Sequence, residues 1–515
     1  MKNIFILTIF YFTLSSLSFS QNQSIDWQLT FGGSLYEYSR EIEYTSDGGF
    51  INAGYSASVD GNISSTHGGG DCWIVKHDAS GSIQWERTYG GSGFDYASSI
   101  QQTLDGGFII AGYSESTDGD VAAMFGNGDC WIIKIDVAGG IQWQKTYGGT
   151  AIDNAQSIKQ TIDGGYIVAA YSESSDGNVT GNHGAGDCWI MKLDGAGALV
   201  WEKSLGGTNY DIGQDIIQTS DGGYVLTGGT HSNDGNASGQ NGDGDCWLVK
   251  LSCSGNVLWQ NSLGGTNYDF GQSVIQTVDG GFIIAGYSES NDGDVSMPHG
   301  NGDCWVVKCD SAGSLQWQKA LGSSENDYAF SIQQLMNGNY IMTGYSGAND
   351  GDVVGNKGGL DCWIVNLDPF GGIEVQSSLG GSGVDIGYSL RELTPGNYTI
   401  AGYSESNDGD VSGNQGNGDC WLIKIHISYL GITDDSIEEA VTVFPNPSSG
   451  IVTLSGIHDG SDIIIYDVAG KLVFQTKSIG VYATDLDLSG QSRGLYFYNV
   501  VNKNGKKCQG KILIN

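Results

Sequence analysis

One tripeptide, Asp-Cys-Trp, returns through this chain at a single fixed interval. Its seven occurrences follow each other at steps of 58 residues, without an insertion or deletion over about 400 residues. The cysteines of the tripeptide are Cys72, Cys130, Cys188, Cys246, Cys304, Cys362 and Cys420. A long sequence repeat of constant length indicates that one supersecondary unit is copied and packed against its own copies.

The second repeat shows the plan of this unit. Residues 97–103 and 108–114 are typical of short strands joined by an Asp-Gly-Gly turn. A longer polar loop covers 115–128, and apolar residues return at 130–135. Residues 141–147 alternate between apolar and polar side chains, as a strand with one covered face does. Four strands in each of seven repeats predict the blades of a β-propeller.

The composition agrees with an all-β fold. Glycine accounts for 83 of 515 residues, more than twice its usual share of about 7%. The chain also contains 13 Trp, 26 Tyr and 16 Phe residues, and disordered chains lack aromatic residues. Glycine together with aromatic and β-branched residues favours many short strands joined by tight turns.

The two ends of the repeat array are offset from one another. The fourth-strand position carries Trp27, Trp85, Trp143, Trp201, Trp259, Trp317 and Val375. Nothing similar follows the last Asp-Cys-Trp strand at Trp421. The chain start at 27–31 is therefore expected to complete the last blade, which closes the ring and removes open sheet edges. An open β-solenoid is the rival fold, and it would not need this offset. The prediction is a seven-bladed β-propeller over residues 21–432.

The tripeptide cysteines are not expected to form disulfides with each other. Equivalent positions in neighbouring blades lie beyond the roughly 7 Å between Cα atoms that a disulfide can span. They are predicted to be small buried hydrophobic residues between blades.

The long loops carry Asp-Gly-Asp or Asp-Gly-Asn, followed nine residues later by the Asp of Asp-Cys-Trp. Paired carboxylates on a loop are ligands that Ca²⁺ prefers, although a full calcium-loop signature is missing. The candidate calcium ligands are Asp118, Asp120, Asp129, Asp292, Asp294, Asp303, Asp350, Asp352, Asp361, Asp408, Asp410 and Asp419. The alternative interpretation is that these Asp side chains only form turns, by accepting hydrogen bonds from nearby backbone N–H groups.

A second acidic series occurs where each innermost strand begins, on the same face as the long loops. Its members are Glu37, Asp95, Asp153, Asp211, Asp269, Asp327 and Asp385. Each could cap the Gly-Gly turn that precedes it, or the seven together could attract cations around the central opening.

Several function classes are disfavoured by the residues. The net charge of −36 makes nucleic acid an improbable partner, since phosphate binding requires a basic surface. The repeats have no Gly-x-Ser-x-Gly or Walker motif, and the chain has no Cys-x-x-Cys, so no catalytic or cofactor-binding residue is predicted. Seven nearly interchangeable units favour binding over catalysis. A cluster of non-repeating acidic, His and Arg side chains over the channel would favour an enzyme instead.

The N-terminus is typical of a secretory signal peptide. Lys2 precedes an apolar run over 4–14, and small residues occupy the expected cleavage site at 18–20. Residues 1–20 are predicted to be removed on export, and no transmembrane segment is predicted elsewhere.

The C-terminal part differs from the repeats. An acidic linker at 433–440 leads to residues 441–515, which contain Pro445–Gly450, Asp467–Lys471 and Gly494–Tyr496. In this order these motifs resemble the type A C-terminal sorting domain of cargo of the type IX secretion system of Bacteroidota. The resemblance implies a small immunoglobulin-like β-sandwich that contacts the type IX machinery. It also implies removal of the domain and release or attachment at the outer cell surface.

The repeats resemble those of bacterial propeller proteins that carry Thr-x-Asp-Gly-Gly-Phe/Tyr-Ile, as at Thr103–Ile109. The resemblance supports the fold but not a function, because propellers host many activities. The sequence predicts a secreted or cell-surface binding or adhesion protein, with a glycan or protein ligand on the acidic loop face. The alternatives are a secreted enzyme acting on polysaccharide or protein at that face, and a structural surface protein.

Overall fold

The computed structural model describes residues 22–428, 442–444, 448, 450–457, 460–467, 471–478, 482–501 and 507–514. The predicted signal peptide and linker lie outside these residues. The regular secondary structure of the described residues consists of β-strands. Among these residues no helix is long and apolar enough to cross a membrane. The chain divides into one compact unit at Gln21–Tyr429 and a second that contains Leu430–Asn515.

Within residues 22–428 the strands form seven four-stranded antiparallel sheets. Sheets 1 to 6 follow chain order. Sheet 1 contains β2 (Glu37–Tyr44), β3 (Phe50–Ser56), β4 (Asp71–His77) and β5 (Ile83–Tyr89); sheet 2 contains β6 (Asp95–Gln102), β7 (Phe108–Ser114), β8 (Asp129–Ile135) and β9 (Ile141–Tyr147); sheet 3 contains β10 (Asp153–Gln160), β11 (Tyr166–Ser172), β12 (Asp187–Leu193) and β13 (Leu199–Leu205). Sheet 4 contains β14 (Asp211–Gln218), β15 (Tyr224–Thr230), β16 (Asp245–Leu251) and β17 (Val257–Leu263); sheet 5 contains β18 (Asp269–Gln276), β19 (Phe282–Ser288), β20 (Asp303–Cys309) and β21 (Leu315–Leu321); sheet 6 contains β22 (Asp327–Gln334), β23 (Tyr340–Ser346), β24 (Asp361–Leu367) and β25 (Ile373–Leu379). Sheet 7 contains β26 (Asp385–Thr394), β27 (Asn397–Ser404), β28 (Asp419–Ser428) and, as its fourth strand, β1 (Asn22–Phe31).

The sheets form a closed ring. The first strand of each sheet contacts the first strand of the next, and β2 of sheet 1 contacts β26 of sheet 7. β1 pairs with β28 from Asn22–Ser428 to Phe31–Cys420, the pairing that the offset chain ends predict. An open solenoid would keep the first and last sheets apart, so these contacts exclude it. The architecture is β-propeller-like.

The hydrophobic core lies between neighbouring sheets. Trp131 of sheet 2 is 1% exposed and belongs to one cluster with Ile51, Cys72 and Ile74 of sheet 1. The tripeptide cysteines are all buried free thiols, which confirms that they act as small core residues. Because every sheet presents an apolar strand pair to both neighbours, the second and third strands are mostly buried, and β7 and β8 are buried along their whole length.

The Asp-Gly-Gly turn between the first two strands is fixed by its Asp and by a buried lysine. Asp105 accepts hydrogen bonds from the Thr103 hydroxyl (2.5 Å) and the Gly107 N–H (3.0 Å). Gly106 has φ +85°, a left-handed conformation that glycine adopts without strain. The Lys134 ammonium, only 3% exposed, lies 3.0 Å from the Asp105 carboxylate. The pair ties the third strand to this turn.

Every first strand contains a β-bulge at the same place. In β6 the register with β7 shifts between Ala97 and Ser99. The same shift occurs in the first strands of the other six sheets. A bulge places two successive residues against one partner residue and redirects their side chains. Here it lets both Ser98 and Ser99 line a cavity at the centre of the ring.

The C-terminal unit contains two antiparallel sheets in its described residues. One holds β29 (Thr442–Phe444), β30 (Ile451–Ile457) and β33 (Tyr482–Asp487); the other holds β31 (Asp462–Asp467), β32 (Leu472–Lys477), β34 (Gly494–Val501) and β35 (Lys507–Ile514). Val452 and Leu486 of the first sheet share one buried cluster with Ile463, Tyr498 and Ile512 of the second. Both sheets therefore enclose a single small core.

Candidate functional site

The candidate calcium ligands accept hydrogen bonds from the backbone in three repeating ways. Asp118 Oδ1 accepts one from the Ser92 N–H (2.7 Å), and Asp120 Oδ2 accepts one from the Gly90 N–H (3.3 Å). Asp129 Oδ2 accepts one from the Phe125 N–H (2.6 Å). The same bonds are made by Asp292, Asp350 and Asp408, by Asp294, Asp352 and Asp410, and by Asp303, Asp361 and Asp419. These are the bonds that the turn interpretation requires.

The three carboxylates of one loop do not converge. Asp118 and Asp120 face the connection between sheets 1 and 2, whereas Asp129 packs beside Gly148 in the connection between sheets 2 and 3. In the described residues no group of three or more His, Cys, Asp or Glu side chains is arranged to hold a metal ion. Calcium binding by these residues stays a prediction.

The acidic series at the start of each first strand caps the preceding turn. Asp153 Oδ2 accepts hydrogen bonds from the Gly149 N–H (2.8 Å) and the Ser174 hydroxyl (2.8 Å), and its side chain is fully buried. Equivalent backbone bonds reach Glu37, Asp95, Asp211, Asp269, Asp327 and Asp385. The capping role is thereby confirmed, and these carboxylates are buried between the sheets.

Each junction between neighbouring sheets holds two buried carboxyl groups, which we term the junction pair. An ideal Cβ on Gly148 would lie 2.8 Å from Asp129 Oδ1 and 2.4 Å from Asp153 Oδ2, so both groups border the same glycine. Asp129 Oδ1 is buried without a hydrogen-bond partner among the described residues. The pairs are Asp71 with Asp95, Asp129 with Asp153, Asp187 with Asp211, Asp245 with Asp269, Asp303 with Asp327, Asp361 with Asp385, and Asp419 with Glu37.

Burial and mutual repulsion act on the titration of these pairs. Burial, followed by the negative charges of Asp269 and Asp294, raises the pKa of Asp245 to about 7. Burial and the Asp153 charge likewise raise the pKa of Asp129 to about 6. Two carboxyl groups in a site of low polarity cannot both ionise without cost.

A second candidate site is the central cavity, which has a volume of about 340 Å³ and is lined by the first strands of all seven sheets. At one level of the cavity, each sheet contributes the bulge residue that has no partner in the second strand. This cavity ring consists of Arg40, Ser98, Gln156, Gln214, Gln272, Phe330 and Tyr388. Unlike the junctions, the ring has no sevenfold equivalence.

A charge network fills the adjoining part of the cavity. Glu41 lies 2.9 Å from Arg391 and 3.0 Å from Lys159, and Arg391 also lies 3.0 Å from Glu43. Burial alone would raise the pKa of Glu41, but the two cations outweigh it and lower the pKa below its ordinary value. Asp215 accepts hydrogen bonds from the Ser157 hydroxyl (2.8 Å) and the Val274 N–H (3.0 Å).

Arg40 is the third cation that lines the cavity, and it forms no ion pair in this network. Its guanidinium carbon lies 4.8 Å from the ring centre of Tyr388 and 5.8 Å from that of Phe330. Within residues 22–428 no carboxylate lies within ion-pair distance of it. Phe330 also stacks on Tyr328, with ring centres 4.6 Å apart.

None of the cavity-ring residues is among the site residues that the sequence predicts. A signal was nevertheless present, because positions 40, 98, 156, 214, 272, 330 and 388 share one register and carry five residue types. The Asp-Cys-Trp residues in the same repeats do not vary at all. Variation between repeats within the predicted first strands, compared with these constant residues, could have located the cavity.

The fold and the cavity define a β-propeller-like repeat protein whose repeats differ at their centre. A family model places the C-terminal part: residues 442–515 match the secretion system C-terminal sorting domain. This match agrees with the type IX sorting domain expected from the sequence. The protein is therefore a type IX secretion cargo that is secreted or held at the cell surface.

Part of this chain is similar to part of a curated protein, the regulatory protein FlaEY of Caulobacter vibrioides. The two are 25% identical over 223 residues, which cover 40% of this chain and 23% of that protein. The extracellular domain of a protein described as a hybrid two-component system of B. thetaiotaomicron matches with TM-score 0.39 and 9% identity, over 93% of this chain and 55% of that one. Sqt1 from Chaetomium thermophilum matches with TM-score 0.42 and 10% identity, over 79% and 100%.

Proposed function

We propose that this protein is an exported binding or adhesion protein that takes its ligand in the central cavity of a seven-bladed β-propeller. The blades are sheets 1 to 7, and β1 closes the last of them. The ligand enters from the face that carries the long acidic loops. The sorting domain delivers the propeller to the medium or to the outer cell surface, where such a ligand is met.

One observation carries the proposal: within the first strands, the repeats differ most where they face the cavity. Gln214 of sheet 4 and Phe330 of sheet 6 occupy the same register, and so does Arg40 of sheet 1. A cavity that only had to be filled would be expected to repeat one residue seven times. Polar, aromatic and charged groups that converge on a concave site are the usual composition of a ligand pocket.

An enzyme is the second candidate, because Glu41, Glu43, Asp215, Lys159 and Arg391 form the non-repeating charged cluster that would favour one. Against catalysis, the two Glu carboxylates are ion-paired with the two cations, and the pKa of Glu41 is lowered. A general acid requires the opposite shift. The network therefore supports a scaffold for binding. A purely structural surface protein would not require the varied cavity ring.

We also propose the finer organisation expected from the sequence. Residues 1–20 form the signal peptide, 21–432 the propeller, 433–440 the linker and 441–515 an immunoglobulin-like sorting domain. The Asp-rich loops bind Ca²⁺ through the twelve candidate ligands, with Asp118, Asp120 and their equivalents contributing to one junction and Asp129 to the next. This proposal is supported by Asp129 Oδ1, which is buried without a hydrogen-bond partner among the described residues. A bound cation would supply that partner.

The test is a glycan and peptide array probed with the full-length exported protein and two tryptophan variants. Gln214→Trp fills the cavity, whereas Leu258→Trp adds the same ring on the surface, where Leu258 is 58% exposed. We expect wild type and Leu258→Trp to bind the same compounds and Gln214→Trp to lose them. Binding that survives Gln214→Trp would contradict a ligand site in the cavity.

A further inference from the structure

We propose that the central cavity binds a sugar that carries a carboxylate, a uronic acid, and that Arg40 receives this carboxylate. The inference rests on the proposed function and names the ligand class of the same cavity. Three features support it: a guanidinium without a carboxylate partner, a wall of amide side chains, and an aromatic wall opposite.

The first feature is the unmatched charge of Arg40. Lys159 and Arg391 are each within 3.0 Å of a glutamate, so their charges are matched inside the cavity. Arg40 is half-buried and packs against the ring faces of Tyr388 and Phe330 instead. The N–H groups of a guanidinium lie in one plane and match a carboxylate in a two-point contact. A ligand carboxylate would supply the ion-pair partner that Arg40 lacks among the described residues.

The second feature is the polar arc of the cavity ring. Ser98, Gln156, Gln214 and Gln272 come from four consecutive sheets and line the same cavity. Amide side chains donate and accept hydrogen bonds, as sugar hydroxyl groups do. Gln272 Oε1 already accepts a hydrogen bond from the Tyr328 hydroxyl (3.1 Å), so the arc joins the aromatic wall.

The third feature is the aromatic arc, formed by Phe330 and Tyr388 from the next two sheets. Their ring centres lie 4.8 Å apart in an edge-to-face arrangement. The apolar C–H faces of sugars pack against such rings, while amides on the other side bind the hydroxyls. The cavity volume of about 340 Å³ is at the lower end of the range for ligand pockets, roughly 300–1,000 Å³, and suits one or two sugar units.

The first arm of the test changes the ligand and leaves the protein intact. Calorimetry of the full-length exported protein compares D-galacturonate, its methyl ester, D-galactose and N-acetyl-aspartate. We expect galacturonate to bind at least about tenfold more tightly than the other three, because only it offers both a carboxylate and a sugar ring. Equal affinity for acid and ester would overturn the role of the carboxylate, and equal affinity for N-acetyl-aspartate would overturn the sugar.

The second arm changes Arg40. Arg40→Gln should weaken galacturonate binding at least about tenfold and leave weak galactose binding unchanged, while Arg40→Lys should recover part of the loss. Arg87, exposed on β5, provides the matched control, and Arg87→Gln should have no effect. Melting temperatures identify any variant that fails to fold, and the ester comparison does not depend on them.

The two proposals fail in different ways. No galacturonate binding at millimolar concentration would overturn the uronic acid inference. Binding of a neutral sugar or peptide that is lost in Gln214→Trp would at the same time support the proposed function. If Gln214→Trp changes the binding of no compound, both proposals are wrong.

Discussion

Gly148 lies between two carboxyl groups that leave no room for a methyl group. Its ideal Cβ would approach Asp153 Oδ2 to 2.4 Å and Asp129 Oδ1 to 2.8 Å. Gly148→Ala should therefore lower the free energy of unfolding by about 1–3 kcal/mol, the usual cost of overpacking. Urea denaturation of the full-length protein measures this as a lower midpoint.

Gly195→Ala is the matched control for this prediction. Gly195 is an exposed turn residue, and the equivalent position of the first repeat carries Ala79. We expect its midpoint to stay at the wild-type value. Equal midpoints for wild type and Gly148→Ala would show that the two carboxyl groups move apart freely.

Single residues also show how one repeat compensates for a lost ion pair. Sheets 1 to 5 use a buried lysine such as Lys192 with the Asp of the Asp-Gly-Gly turn, here Asp163, at 3.0 Å. In sheet 6 the position of this lysine is occupied by Asn366, which accepts a hydrogen bond from the Asn339 amide (3.1 Å). The buried polar position is therefore matched in both cases, since an unpaired ammonium would be costly there.

At the scale of the element, the sheet junctions predict a pH dependence. The pKa of Asp245 is raised to about 7, above its value of about 3.9 in an unfolded chain. A raised pKa in the folded state contributes stability below pH 4, and this contribution is lost as the pH rises through about 7. Without divalent cations, the contribution of this pair to the melting temperature should fall between about pH 4 and about pH 7.

Asp245→Asn should make that fall smaller, because a neutral amide does not ionise beside Asp269. Asp243 lies exposed in the same loop, and Asp243→Asn removes the same charge without touching the junction. The measurement is the melting temperature of each variant across the pH range. An identical pH profile for Asp245→Asn and Asp243→Asn would contradict a titrating junction pair.

Calcium binding is tested on the same elements. Excess chelator should lower the melting temperature of the full-length protein, and millimolar calcium should restore it, if the loops hold the ion. Replacing Asp118 and Asp120 together with Asn should reduce the response slightly, because one junction of seven is changed. Asp176→Asn alters a loop that carries Asn178 in place of the second Asp, so it should leave the response unchanged. No response to calcium would leave these Asp residues as turn formers.

The strands themselves could be predicted closely from the repeat. Residues 108–114 and 141–147 match β7 and β9, and 97–103 differs from β6 by two residues at its start and one at its end. Turn residues and apolar periodicity are local, so a sequence reports them directly. The contacts between sheets are not local: Arg391 reaches Glu41 across 350 residues, and Asp120 and Asp129 of one loop separate to different junctions. Only the closed ring determines those neighbours.

At the scale of the whole molecule, closure of the ring depends on β1. Phe31 at the end of β1 is 4% exposed and packs against Trp73 of sheet 1, with ring centres 5.5 Å apart. Phe31→Ala should therefore lower the free energy of unfolding by about 3–5 kcal/mol. Leu321→Ala, at the same register of sheet 5, provides the comparison for a junction inside the continuous chain.

A closed ring predicts that both variants unfold in one transition in calorimetry, with Phe31→Ala at least as destabilised as Leu321→Ala. A much smaller effect of Phe31→Ala, or a separate early transition, would show that β1 detaches before the other sheets unfold.

The bulge in every first strand has an evolutionary consequence. Because of it, each repeat turns two adjacent side chains inward, such as Gln214 and Asp215 in β14, without using core positions. Duplication of such a repeat therefore copies a stable module together with a pair of sites that are free to mutate independently. Lineages built from this module could acquire new specificities by point substitution alone, with the folding information held elsewhere in each copy.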